Sequence, residues 1–248
     1  MRADRIDKLG LEIECGVEIK CDKNGEITKR LKPDQLTFFK LASDGSIGTN
    51  NRRTSEPVEL VSIPLNPADV DKAIDEAYKH INEINNTMGF HVHMSFKKDE
   101  DYWKTTTKKF FTHIVDSAKE EYPEWIKGRF SGKWCVPKIT EKEMDIQIKA
   151  SDKNGCRYKA LNYCKGLHNT IEFRFFKATQ DKEEAKKWVS WLTDTVEGWL
   201  DENDEVKTFR KQIKEKEADE STTKITVEGT VNTYDKNGGD KICVKYSS

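Results

Sequence analysis

The sequence predicts an α+β fold in which an antiparallel β-sheet is flanked by helices. Three observations carry that expectation. Several segments alternate apolar and polar residues with the two-residue period of a half-buried strand, leaving one face polar as antiparallel sheets allow. Other segments place apolar residues three and four apart, the stripe of an amphipathic helix. Strands and helices do not alternate strictly along the chain, which argues against a doubly wound parallel sheet.

The pattern begins at residues 9–19, where Leu11, Ile13, Cys15, Val17 and Ile19 alternate with Glu12, Glu14, Gly16 and Glu18. Asp22-Lys23-Asn24-Gly25 signals a turn. A short strand is expected at 37–41, a loop at Asp44-Gly45-Ser46 and another strand at 56–63. Asn66-Pro67 opens a helix with a capping side chain and a proline at the first helical position; Val70, Ile74, Ala77, Ile81 and Ile84 mark its buried face. Gly89 precedes a strand over 90–96. Phe110, Phe111, Ile114, Val115 and Ala118 define a helix that stops near Pro123, and Thr140 with Glu143 forms a capping box for a short one. A strand at 170–176 precedes a helix whose buried stripe is Ala185, Trp188, Val189, Leu192, Val196 and Trp199. Residues 201–220 are almost all charged and read as an exposed helical extension. The segments 225–231 and 242–246, separated by Asp235-Lys236-Asn237-Gly238-Gly239, read as a terminal hairpin.

Composition narrows the function classes. Forty-three Lys and Arg balance 44 Asp and Glu for a net charge of −1, so no basic excess points to nucleic acid. No apolar run approaches the ~20 residues that span a bilayer. The start, Met1-Arg2-Ala3-Asp4-Arg5, lacks the apolar segment of a signal peptide, so a cytoplasmic protein without membrane partners is expected. The six cysteines are scattered without a C-x-x-C pair, which favours core residues and free thiols over disulfides or a thiolate zinc site.

The polar faces of the strands carry the chemistry. Glu12 and Glu14 share one face of the first strand, His91 and His93 one face of another, and Glu172 and Arg174 one face of a third; Glu59 adds a further carboxylate. An indifferent solvent face would carry Thr, Lys and Ser. If the strands share a sheet, the pairs converge, and carboxylates brought together need cations between them. Oxygen ligands suit Mg²⁺, and one or two imidazoles would also admit Mn²⁺. The planar fork of Arg174 suits a phosphate or carboxylate. His80 and His113 fall on expected helices as surface or packing residues, and His168 leads into a strand.

Gly89-Phe90-His91-Val92-His93-Met94-Ser95 resembles the Gly-x-His-x-His-x-Ser strand of glutamine synthetases, and Glu172-Phe173-Arg174 their Glu-x-Arg strand. Gly10-Leu11-Glu12-Ile13-Glu14 resembles the Glu-x-Glu strand that opens their catalytic sheet. The order of these pieces, with Asp44-Gly45-Ser46, Glu56-Pro57-Val58-Glu59-Leu60-Val61-Ser62, Arg157-Tyr158-x-Ala160-Leu161-Asn162 and Thr170-Ile171-Glu172-Phe173-Arg174, is similar to the compact amidoligase family from about residue 9 to 179.

The resemblance implies a glutamine-synthetase-like catalytic fold with a curved antiparallel sheet, over residues 1–200, followed by the extension and hairpin at 201–248. It implies an ATP- and Mg²⁺- or Mn²⁺-dependent ligase joining a carboxylate substrate to an amine through an acyl phosphate. Glu12, Glu14, Glu59, His91 and Glu172 match the metal-ligand positions. Arg174 matches the arginine on the transferring phosphate, and His93 a position nearer the carboxylate substrate. Arg157 and Arg129 are candidate phosphate or substrate contacts. The same acids and histidines also suit a metal-dependent hydrolase or nuclease, or a binding protein that has lost turnover. Either substrate can be a small molecule, a peptide or a protein, and an oligomer is left open.

Overall fold

The computed structural model describes residues 3–43, 45–149, 158–221, 227–232 and 241–246. By its internal contacts the chain divides into two units, Met1–Asp201 and Glu202–Ser248. The first is built on one mostly antiparallel sheet. Its strands are β1 (Ile6–Glu18), β4 (Phe39–Ala42), β5 (Ser55–Ser62), β6 (Ile81–Glu83), β7 (Gly89–Phe96), β8 (Leu161–Cys164) and β9 (Thr170–Lys177). The order across the sheet is β4-β5-β1-β7-β9-β8, with β6 beside β1. A separate small ribbon pairs β2 (Lys20–Cys21) with β3 (Ile27–Lys29). The α+β class and the helix-flanked antiparallel sheet are as the sequence predicts. The sheet is uncurled rather than the curved one expected: its strand order runs from β4 at one end to β8 at the other.

The α-helices among the described residues are α1 (Val70–Ala77), α2 (Asp99–Thr105), α3 (Lys108–Glu121), α4 (Pro123–Ser131), α5 (Glu141–Lys149), α6 (Lys165–His168) and α7 (Lys182–Ser221). Thr107 caps α3 by accepting a hydrogen bond from Phe110 N at 3.1 Å. The Thr140–Glu143 capping box is present at α5: Thr140 N donates to Glu143 Oε2 at 2.8 Å and Glu143 N to Thr140 Oγ1 at 3.2 Å. Pro123 does not only end α3; as the first residue of α4 its missing N–H costs nothing, so a second helix starts there.

One expected element is corrected. The helix expected from Asn66-Pro67 starts as a 3₁₀ turn, Pro67–Asp69, without a capping hydrogen bond to the Asn66 side chain; α1 then stops at Ala77, and Ile81–Glu83 is strand β6. The reason lies in β1, which β7 accompanies only from Ile6 to Ile13. Beyond that point the backbone groups of a buried strand still need partners, and β6 supplies them opposite Gly16 and Val17.

The core lies on the apolar face of the sheet. Leu9, Leu11, Ile13, Phe90, Val92, Met94, Ile171, Phe173 and Phe176 are buried there with Ile74, Phe110, Ile114, Trp188, Leu192 and Val196 of the helices. Trp188 of α7 stacks on Phe176 with ring centroids 5.4 Å apart and meets Phe90 edge-on at 6.1 Å. Each such fully buried large side chain contributes roughly 1.5–3 kcal/mol of transfer free energy. In the second unit β10 (Val227–Asn232) pairs antiparallel with β11 (Lys241–Tyr246).

Candidate functional site

The apolar faces fix the register of the central strands, because a slip of one residue would drive the acids into the core. The polar face then carries a row of cross-strand pairs. Glu14 of β1 lies opposite Glu59 of β5. Glu12 lies opposite His91 of β7, and Gly10 opposite His93. His93 lies opposite Glu172 of β9, and Glu172 opposite Asn162 of β8. Between Phe90 and Val92 the register of β7 against β9 shifts, so Arg174 and Phe175 together face His91. That bulge lets Phe175 and Phe176, neighbours in sequence, both be buried while Arg174 stays on the polar face.

Glu12 is the hub. Its Oε2 lies 3.3 Å from His91 Nδ1 and its Oε1 3.1 Å from His93 Nε2. His91 Nδ1 lies 3.6 Å from Glu172 Oε1, and Arg174 Nη1 bonds the same oxygen. His91 and Glu172 are buried, with 2% and 6% of their surface exposed, so charge there must be compensated by partners. Two triads, Glu12–Glu59–His91 and Glu12–His93–Glu172, each bring three ligand atoms within 4.8 Å of one another. Both contain Glu12.

The protonation states follow from this packing. Burial opposes the charge on Glu12, but hydrogen bonds and charge from His91 and His93 overcome it and hold the carboxyl below the usual range. Burial likewise opposes ionisation of Glu172, and Arg174, His93 and His91 outweigh it. For His93, burial would lower the pKa, but Glu12 and Glu172 raise it. Burial works against the Arg174 charge, and Glu172 overcomes it. Glu12 and Glu172 are thus held toward the ionised form, and His93 and Arg174 toward the protonated one.

Of the residues singled out in the sequence, Glu12, Glu59, His91, His93, Glu172 and Arg174 are brought together on this face. Glu14 stands next to them but outside both triads: it is buried, and its Oε2 accepts from Gly89 N at 2.6 Å. Arg129 reaches the site from α4, with Nη2 donating to the Arg174 carbonyl at 2.9 Å. Its Nε and that of Arg174 are buried without a protein partner among the described residues. Arg157 and Asp44 lie outside the described residues.

Other contributors carried no local signal. Asn162, quoted only as part of a motif, donates to Glu172 Oε2 at 2.8 Å. Gln147 of α5 donates in turn to Asn162 Oδ1 at 3.1 Å. Thr170 Oγ1 lies 3.3 Å from His93 Nδ1, and the His168 ring sits edge-on to His93 with centroids 6.3 Å apart. Gly89 has a packing reason: a Cβ there would lie 2.8 Å from His91 Nε2 and 3.1 Å from Arg129 Nη2.

Among the described residues no helix is long and apolar enough to cross a membrane. No curated protein matches the chain. The family model described as "Putative amidoligase enzyme" matches residues 7–196, a span that holds the main sheet from the second residue of β1 onward and all the side chains of the site. The chain belongs to this amidoligase family.

Proposed function

We propose that the protein is an ATP- and divalent-metal-dependent carboxylate–amine ligase that forms an amide or isopeptide bond through an acyl phosphate, on a glutamine-synthetase-like catalytic fold. The observation that carries the reading is the pair of triads sharing Glu12, with Arg174 bonded to Glu172 at their edge. The donor set fits Mg²⁺ or Mn²⁺: each triad offers two carboxylates and one imidazole, hard oxygen ligands with a borderline nitrogen. Glu12, Glu59 and His91 would hold one cation, and Glu12, His93 and Glu172 another. A divalent ion so held supplies charge neutralisation to a nucleotide's phosphates.

The chain's own residues supply the rest. A carboxylate does not react with an amine at neutral pH until one oxygen becomes a leaving group, and in this reading phosphoryl transfer onto that oxygen is the first event. Arg174 would meet the charge of that transfer. Its Nη1 is committed to Glu172, which fixes the plane of the guanidinium, while Arg129 braces the backbone carbonyl of the same residue. Glu172, buried and ionised, keeps Arg174 charged. His93, whose Nε2 lies 3.1 Å from Glu12 Oε1, would enter the second site as a neutral imidazole.

The test uses hydroxylamine as a small amine that traps activated carboxylates as hydroxamates. The protein is incubated with ATP, Mg²⁺ or Mn²⁺, hydroxylamine and a panel of amino acids, γ-glutamyl peptides and acidic peptides. At least one carboxylate is expected to give a hydroxamate with equimolar ADP, and Glu172→Gln to abolish both. AMP as the nucleotide product would refute the phosphoryl-transfer assignment.

A further inference from the structure

Glu172 is held by more than its charged neighbours. Behind it, β8 and α5 place two buried amides in series: Asn162 and Gln147 expose only 4% and 3% of their surface. Asn162 lies directly opposite Glu172 across the β8–β9 pair, so the two side chains share a face. Tyr163, next to Asn162 in β8, sends its backbone N–H to Gln147 Oε1 at 3.2 Å.

The direction of this chain is forced. A backbone N–H can only donate, so it must face the carbonyl end of Gln147. Gln147 then has only its Nε2 to offer Asn162, which answers with Oδ1 at 3.1 Å. Asn162 is left with Nδ2, which donates to Glu172 Oε2 at 2.8 Å. Each amide turned the other way would set oxygen against oxygen in a buried, low-dielectric setting. Glu172 is thereby oriented, with Oε2 tied to β8 and Oε1 turned to Arg174 and His91.

We propose that Asn162 and Gln147 are positioning residues: a one-way relay, started by the Tyr163 backbone N–H, that fixes the carboxylate plane of Glu172 and so sets the affinity of the Glu12–His93–Glu172 triad for a divalent cation. The inference rests on the reading of that triad as a cation site. Groups that orient metal ligands in this way typically govern affinity ~10–100-fold.

The experiment is an Mn²⁺ titration of the full chain, followed by electron paramagnetic resonance of the free ion, with thermal unfolding recorded on the same samples. Asn162→Leu removes the donor to Glu172 at similar volume, and a loss of affinity of roughly tenfold or more is expected. Gln147→Glu is the sharper variant. It keeps the acceptor for Tyr163 N–H and nearly the same shape, but turns an oxygen toward Asn162 and obliges that amide to flip. Added negative charge by itself would raise Mn²⁺ affinity, so a fall with cooperative unfolding retained reports orientation rather than charge or misfolding. Where Asn162→Leu does not fold, Gln147→Glu decides. Both variants within twofold of the unsubstituted chain would overturn the relay and leave the proposed function standing. An unsubstituted chain with no Mn²⁺ affinity would overturn the cation site itself.

Discussion

Replacing Gly89 by alanine adds one methyl group where the site has no room for it. The new carbon would lie 2.8 Å from His91 Nε2, 3.1 Å from Arg129 Nη2 and 3.3 Å from Glu14 Oε2. The first of these is about 0.6 Å inside ordinary contact at 3.4 Å, and the His91 ring cannot simply swing away. It is 2% exposed and its other nitrogen lies 3.3 Å from Glu12 and 3.6 Å from Glu172. Overpacking of this kind costs roughly 1–3 kcal/mol. The backbone at Gly89 is not left-handed, so alanine also removes freedom from the unfolded chain, a gain of about 0.4–1 kcal/mol. The clash wins, with a net loss of about 1–2 kcal/mol, equivalent to a melting point lower by roughly 2–8 °C for a unit of this size. Because the displaced atoms belong to the Glu12–Glu59–His91 triad, Mn²⁺ affinity should fall as well, by roughly tenfold. Differential scanning fluorimetry and Mn²⁺ titration read the two effects on one preparation. A melting point unchanged or raised, with Mn²⁺ affinity within twofold, would refute the argument that Gly89 is required by the packing of His91.

Three further outcomes are expected. Glu12→Gln should weaken Mn²⁺ binding more than Glu59→Gln in equilibrium dialysis, since Glu12 belongs to both triads and Glu59 to one; equal losses would show that Glu12 is not shared. Arg174→Lys should lower hydroxamate formation by roughly a hundredfold, about 2.7 kcal/mol of transition-state stabilisation, with ATP binding less affected, because a point charge cannot reproduce the fork; turnover within a few-fold of the unsubstituted enzyme would make the arginine structural. Glu143 is held at about 2 by hydrogen bonds from Lys159 and from Thr140, against an ordinary value of 4.5. Its folded-state pKa is depressed, so its contribution to stability is present above the ordinary value and is lost as pH falls through about 2. Urea titrations of Glu143→Gln against the unsubstituted chain should therefore converge as pH is lowered through that window, and a constant difference would contradict the assignment.

Much of the site was legible before any tertiary structure. Alternation in β1, β7 and β9 placed Glu12 with Glu14, His91 with His93 and Glu172 with Arg174 on single faces, because side chains two apart in a strand point the same way and the apolar residues between them must be buried. Helix ends at Thr140 and the stripe through Trp188 and Trp199 were legible for the same reason: capping and amphipathic spacing are properties of a few consecutive residues. The short strands β6 and β8 and the helix α2 were not. β6 reads as the continuation of a helical stripe, and only the backbone groups of β1 left bare beyond Ile13 make it a strand.

The sequence by itself thus determined the α+β class and which chemical groups share a strand face. It could not decide which strands are neighbours. Strand pairing joins backbone groups far apart in the chain, and every strand edge presents the same donors and acceptors, so the side-chain pattern of one strand does not name its partner. The tertiary structure put β1 between β5 and β7, making Glu12 common to two triads. It also set α5 behind β8, where Gln147, a glutamine on a helix with nothing in its own segment to mark it, became the buried group that orients Asn162 toward Glu172.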